Sequence, residues 1–279
     1  MYGIFGKGNN VLNCAVILPI YTLKLSKIEI NSIKNNIKVL KKWDHVIISP
    51  KEISAEIKIF FKDYDFNFRV IEIDKKNFKS VTSYDQMLRK KWFYKLFESY
   101  SYILVTQTDV VIFKDELQKW IDLEYDYIGA PWIFKNKSGE TSYFVGNGGV
   151  SLRKIKSFLS SFDSLRLLKC PNWYLEKRGV PRLSWRFVKY IFGTNKFSFF
   201  RKLHEDFFWS QLIPSTNKLF KVAPFEKAFE FAMEEFKENK TINCIQQMPF
   251  AIHAWEKHAP KEIYNEVLNF ISKDDITND

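Results

Sequence analysis

Four groups of residues carry side chains suited to chemistry: Asp109, the run Gly146-Asn147-Gly148-Gly149, the triplet His204-Glu205-Asp206, and His253. Asp109 follows the apolar run Tyr102 to Val105, and a second apolar run resumes at Val110. The first run is continuous and β-branched or aromatic, the pattern of a buried strand rather than a half-exposed one. An unpaired carboxylate is too costly to bury inside a sheet. Asp109 therefore belongs at the carboxyl end of a central strand, where open α/β sheets form their ligand crevice. There it can hold a divalent cation, and such a cation can carry a diphosphate; the alternative is a cap on the next turn. Three glycines around Asn147 allow either a close backbone approach to a ligand, with the Asn147 amide as donor or acceptor, or positive-φ positions in a turn.

The elements that must position these residues are legible in the first half of the chain. Asn13 to Ile20 reads as a strand closed by Pro19. Leu25 to Trp43 reads as a helix, with Ile28, Ile30, Ile33, Ile37 and Leu40 on one face and a Ser26–Glu29 capping box. His45 to Ser49 and Phe68 to Ile73 are the next strands, with a short helix from Ile53 to Phe61 between them. Ser83 to Gln86 fits a second capping box, opening a helix to about Phe97, and Tyr102 to Gln107 is the strand that delivers Asp109. This β-α-β-α alternation predicts a mainly parallel, nucleotide-binding-type sheet. The glycine fingerprint of dinucleotide binders is absent, because Gly3, Gly6 and Gly8 precede the first strand.

Beyond Asp109 the texture changes. Short helices are expected over Asp115 to Ile121, Lys154 to Phe162, Glu205 to Leu212, Pro224 to Phe236 and Pro260 to Ile271. Tyr125 to Trp132 reads as a strand running into a turn stopped by Pro131. The stretch 166–202 carries ten Lys or Arg against one acid, Glu176, with aromatics interleaved. It reads as an insertion: either a lid over the acceptor or a patch that touches an anionic membrane surface.

The 279 residues, 46% hydrophobic and 17% aromatic, describe a packed globule and exclude a disordered chain. A net charge of +11 suits a nucleotide, a phospholipid surface or nucleic acid, or else reflects a Lys-rich composition. Cys14, Cys170 and Cys244 show neither metal spacing nor a disulfide framework, which points to a reducing cytosol. No long apolar leader is visible at the N-terminus, and no stretch approaches the ~20 apolar residues of a membrane span. The expected location is cytoplasmic, with peripheral contact at the inner face of the cell membrane as the variant in which 166–202 binds lipid.

Five motifs occur in order: Gln107 to Asp109, Tyr125 to Trp132 (YDYIGAPW), Gly146 to Arg153 (GNGGVSLR), Glu205 to Trp209 (EDFFW) and Pro249 to Glu256 (PFAIHAWE). Together they resemble a family of bacterial GT-A-like glycosyltransferases encoded with surface-polysaccharide genes, over nearly all the chain except 166–202. The resemblance implies an α/β GT-A fold, a Rossmann-like mixed sheet flanked by helices. It implies one domain over 1–279, with a nucleotide-binding half at 1–112, an acceptor-side half at 113–272 and a frayed tail at 273–279. It also implies transfer of a sugar from a nucleotide-diphosphate donor, a UDP-sugar first, to a glycan or lipid-linked glycan.

By the same resemblance, Pro19, Tyr84, Gln107 and Asp109 face the donor nucleotide, while Gly146, Asn147, Gly148, Gly149 and Trp132 face the sugar or acceptor. Asp109 and His253 would hold Mn2+ or Mg2+. Asp206, beside Glu205, would be the base of an inverting reaction. The usual second Asp of the metal motif is replaced by Val111, which leaves a metal-independent site or a non-catalytic relative open. For His253 the alternative is a core histidine, for Glu205-Asp206 an acidic helix start, and for Tyr84 plain core packing. A single-strand nucleic-acid binder would use 166–202, but would leave the four chemical groups without a role, so no nucleic acid is expected.

Overall fold

The computed structural model describes residues 14–135, 141–164, 204–234, 236 and 245–272. The basic stretch 166–202, Cys170, Cys244 and the tail 273–279 lie outside the described residues. The first half contains β1 (Cys14–Pro19), α1 (Lys27–Val39), β2 (Asp44–Pro50), α2 (Ser54–Phe61), β3 (Phe68–Ile73), α3 (Val81–Met87), α4 (Lys91–Lys95) and β4 (Tyr102–Thr106). Next come β5 (Val111–Ile112), α5 (Leu117–Asp122), β6 (Tyr127–Gly129), β7 (Pro131–Lys135), β8 (Thr141–Val145), β9 (Val150–Lys154) and α6 (Ile155–Ser164). After residue 203 follow α7 (Glu205–Phe207), a π-turn (Phe208–Leu212), α8 (Ile213–Thr216), α9 (Phe225–Phe231), β10 (Ala232–Met233), β11 (Ala251–Ile252), α10 (Trp255–His258) and α11 (Lys261–Ser272).

The central sheet has six strands in the order β3-β2-β1-β4-β9-β6. β1 to β4 run parallel; β9 is antiparallel to both β4 and β6. The fold is therefore the mixed α/β sheet flanked by helices expected from the sequence. Its pleat sorts side chains between two cores. Ala15, Ile17, Ile103 and Val105 face Tyr94, Phe158 and Trp209, while Cys14, Val16, Tyr102 and Leu104 face Trp43, Trp120 and Phe231. The chain steps outward from β1 to β2 to β3, then returns to β4 on the other side of β1. That reversal is a topological switch point, and a crevice opens outside the carboxyl ends of the two strands that flank it. Pro19 ends one of them and Gln107 follows the other.

Helix α1 is capped as the sequence indicates: Glu29 N–H donates to Ser26 Oγ (3.1 Å) and Ser26 N–H to Glu29 Oε2 (2.8 Å). Its buried face is more polar than the isoleucine spacing predicts, and holds Asn31, Asn35 and Asn36 beside Ile33 and Ile37. The reason lies across the interface, where β5 presents backbone that a strand ladder does not satisfy. Asn36 Nδ2 donates to Val110 O (2.7 Å), Ile112 N–H donates to Asn36 Oδ1 (2.8 Å), and Asn35 Nδ2 donates to Ile112 O (2.8 Å). These bonds clamp the segment directly after Asp109. Asn36→Ala is expected to cost about 2 kcal/mol by urea unfolding, because it strands two buried backbone groups. An unchanged midpoint would show that the clamp is dispensable.

Several boundaries differ from expectation for local reasons. Ser80, not Ser83, caps α3: Ser83 N–H donates to Ser80 Oγ (3.2 Å) and Ser80 N–H to Ser83 Oγ (2.9 Å). The helix that follows stops at Met87 and restarts as α4. Pro131 opens β7 instead of stopping the chain, because at a strand's first residue its missing N–H breaks no ladder. Helix α9 ends at Phe231, and the next two residues pair with β11 as β10.

Candidate functional site

A cleft of about 770 Å3 opens at the switch point. Its lining includes Pro19 and Tyr84, the turn Gln107-Thr108-Asp109, Asn147-Gly148-Gly149, Glu205, Asp206 and His253. Gly146 and Trp132 do not line it. Gly146 O accepts from the Tyr127 hydroxyl (2.9 Å), and the Trp132 ring stands 6.5 Å from that of Phe207, beside the cleft. A second cleft, about 540 Å3 beside Trp92 and Lys90, contains none of the sequence-predicted residues.

Asp109 sits in a tight turn closed by Val110 N–H to Gln107 O (3.2 Å) and braced by Thr108 Oγ1 to Glu29 Oε1 (2.7 Å). The α1 capping glutamate thus also fixes the Asp109 turn. His253 Nε2 lies 3.4 Å from Asp109 Oδ1 and 3.1 Å from Gln107 Oε1. On the ring's other side, Nδ1 lies 3.5 Å from Glu234 Oε1, within ion-pair range but long for a hydrogen bond. Burial opposes charge on His253, but Asp109 and Glu234 outweigh it and raise the imidazole to about 9. Burial likewise opposes ionisation of Asp109, while His253 and Lys257 hold it below the usual carboxylate range. Ala254, directly after His253, is left-handed with φ 50. That costs a non-glycine residue roughly 1–2 kcal/mol and turns the chain from β11 into α10.

The glycine run owes its composition to the protein's own side chains. A Cβ on Gly148 would stand 2.2 Å from Glu205 Oε1, and one on Gly149 would stand 2.3 Å from His253 Nε2. Gly146, at φ +139, is pressed by Ser210. Asn147 spends its amide internally: Oδ1 accepts from Gly149 N–H (2.8 Å) and Nδ2 donates to Glu234 Oε2.

Glu205 and Asp206 are adjacent but differently placed. Both Glu205 oxygens accept from Arg153, at 2.8 Å and 3.0 Å, and the pair is almost fully buried. Arg153 also donates to the Tyr94 hydroxyl (3.0 Å) and Ser151 Oγ (2.9 Å). Among the described residues Asp206 accepts a local bond, from Phe207 N–H (2.6 Å). Burial, then the charge on Glu205, push its carboxyl up to about 7. At the rim His204 Nδ1 meets Asp85 Oδ2 at 2.8 Å. At the end nearest β1, Tyr21, Phe78 and Tyr84 form an aromatic wall, and the buried Tyr84 hydroxyl has no hydrogen-bond partner among the described residues.

Among the described residues, no three His, Cys, Asp or Glu side chains converge as a metal cage. The pair Asp109 and His253 still fits a divalent cation that draws its other ligands from a diphosphate and water. Glu234, Arg153 and Tyr21 were not singled out by sequence reasoning. Glu234 meets Asn147, and Arg153 meets Glu205, across long stretches of chain, and Tyr21 follows β1 with no motif around it.

Residues 67–253 match the family described as Protein of unknown function (DUF5672). No curated protein matches the chain. Among solved structures, mouse xyloside xylosyltransferase 1 in its apo form is similar over 85% of this chain and 96% of its own, at 9% identity and a TM-score of 0.48. The glycosyltransferase GlyE of Streptococcus pneumoniae TIGR4 is similar over 86% of this chain and 53% of its own, at 12% identity and a TM-score of 0.45. A 4-diphosphocytidyl-2C-methyl-D-erythritol synthase from Anaerococcus prevotii DSM 20548 covers 57% of this chain and 78% of its own, at 11% identity and a TM-score of 0.38. No helix among the described residues is long and apolar enough to cross a membrane.

Proposed function

The chain belongs to the DUF5672 family, and we propose that it is a glycosyltransferase that moves a sugar from a nucleoside-diphosphate donor to a glycan or lipid-linked glycan. The observation that carries this reading is the meeting of Asp109, His253 and Asp206 in one switch-point cleft. The five ordered motifs and their resemblance support it. In the proposed inverting step, the acceptor hydroxyl oxygen attacks the anomeric carbon as its proton passes to an Asp206 oxygen. The bond from the anomeric carbon to the diphosphate oxygen breaks, and its electron pair leaves with the nucleoside diphosphate. Asp206 suits the base role: it lines the cleft, its acidity is poised near neutrality, and among the described residues no ion pair occupies it. Glu205 is committed to Arg153 and acts by holding α7.

Asp109 and His253 are the residues that would hold Mn2+ or Mg2+, which when bound neutralises charge developing on the departing diphosphate. The Tyr21, Phe78 and Tyr84 wall, with Pro19, is suited to a nucleobase face. A metal-independent variant has its own support: His253 carries a proton near neutrality, and Lys79 and Lys257 line the same cleft.

Thermal-shift measurement with UDP, GDP, CDP and ADP, each with and without Mn2+, tests the reading. One diphosphate is expected to stabilise the fold by about 2.7 kcal/mol at a hundredfold excess over Kd, and its sugar derivative to be turned over. Asp109→Ala is expected to lose the Mn2+-dependent part of the shift. No shift with any diphosphate overturns the donor site. A shift without turnover of a nucleotide-sugar panel identifies a binding protein that has lost catalysis. Salt-sensitive binding of an oligonucleotide instead would favour the nucleic-acid alternative.

A further inference from the structure

We propose that Glu234 is a positioning residue of this cleft, clamped by Asn147 so that its carboxylate orients the His253 ring with Nε2 toward Asp109. The inference rests on reading Asp109 and His253 as the cation-holding pair. Register brings the two residues together. Met233 pairs with Ile252 across β10 and β11, and His253 N–H donates to Met233 O (2.9 Å). The next residue on one side is Glu234, and on the other His253 itself.

The two ring nitrogens then meet different environments. Nδ1 is buried and stands 3.5 Å from Glu234 Oε1, while Nε2 faces Asp109 Oδ1 and Gln107 Oε1 in the cleft. A carboxylate behind the non-ligating nitrogen is the arrangement that fixes the tautomer and orientation of a metal-binding histidine.

Glu234 is itself held. Backbone N–H of Gly149 can only donate, so it takes the Asn147 Oδ1. The Asn147 NH2 is thereby left for Glu234 Oε2, to which it donates. Gly149 also provides the floor, since any Cβ there would enter the ring. This chain of contacts explains why the run reads Gly-Asn-Gly-Gly. Asn at 147 donates one way and accepts the other, and glycine at 149 leaves room for the imidazole. An aspartate at 147 would place a second carboxylate against Glu234.

The test uses Mn2+ as the probe, with affinity read by calorimetry on the full chain saturated with the nucleoside diphosphate that stabilises it. Glu234→Gln and Asn147→Asp are each expected to weaken Mn2+ binding ~10–100-fold, the scale for a lost outer-shell partner. Asp109→Ala, measured in parallel, should lose it as well. A Glu234→Gln protein that binds Mn2+ within about threefold of wild type, while Asp109→Ala does not, overturns the role of Glu234 and leaves the functional reading standing. Wild-type protein that binds a nucleoside diphosphate equally well with and without Mn2+ overturns the cation pair, and Glu234 with it, in favour of the metal-independent site. A second measurement covers variants that fail to fold. In 15N NMR of histidine-labelled wild type saturated with Mg2+, the His253 ring is expected as the Nδ1–H tautomer, because the cation takes Nε2 from its acceptors Asp109 and Gln107 and leaves the proton to face Glu234. The Nε2–H tautomer overturns the proposal.

Discussion

Asp206→Asn is expected to lower kcat by ~10²–10⁴-fold, the range for a lost general base, with nucleoside-diphosphate affinity kept within a few fold. Asn preserves shape and the bond from Phe207 N–H (2.6 Å), so the loss would report the proton-accepting oxygen. The pH profile adds a sign. Burial and Glu205 raise Asp206 to about 7, and only its ionised form can take the acceptor proton. Wild-type kcat/KM should therefore fall as pH drops through about 7, and the residual activity of Asp206→Asn should lack that limb. Stability should move the other way. The folded protein binds this proton more tightly than the unfolded chain does, so the associated stability is complete below the ordinary carboxylate value of 3.8 and is lost as pH rises through about 7. Asp206→Asn, which cannot ionise, should be more stable than wild type at alkaline pH while far less active. An unchanged rate would make Asp206 a helix-start residue and remove support for the inverting step. A collapse of nucleotide affinity would move it to the donor side.

Arg153→Ala is expected to destabilise the fold by about 3–5 kcal/mol, the usual result of leaving one member of a buried ion pair without its partner. Arg153 is fully buried and holds Glu205 through two bonds, Tyr94 through a third and Ser151 through a fourth. Removing it strands a carboxylate directly under Gly148, which has no side chain to shield it. At about 2–4 °C per kcal/mol for a chain of this size, the melting temperature should fall by roughly 10 °C. Replacing both partners, as Arg153→Met with Glu205→Leu, should recover most of that loss, because an apolar pair of similar volume needs no charge compensation. If Arg153→Ala melts within a degree of wild type, Glu205 does not depend on it, and Glu205 returns as a second candidate for the chemistry.

The sequence by itself determined the first four strands of the central sheet to within a residue or so at their ends. Short, β-branched apolar runs closed by Pro19 or by the polar step at Gln107 have the length and flanks of buried strands, and β3 spans the predicted Phe68–Ile73. It also carried the Ser26–Glu29 cap and the place of Asp109 just beyond β4, because a lone carboxylate after a buried strand has few places to go. Partners distant in the chain left no such mark. Asn35 and Asn36 sit where spacing predicts an apolar helix face, and only the unpaired backbone of β5 explains them. Glu205 and Asp206 look equivalent in the chain; Arg153 separates them by occupying both oxygens of one and neither of the other. Glu234 became visible only when β10 paired with β11 and set it beside His253. The glycines at 148 and 149 could be read as room for a ligand until the tertiary structure filled that room with Glu205 and His253. Local patterning encodes burial and chain reversal, which depend on near neighbours. Which polar groups meet depends on packing between segments tens of residues apart, and one sequence read alone holds no record of those distances.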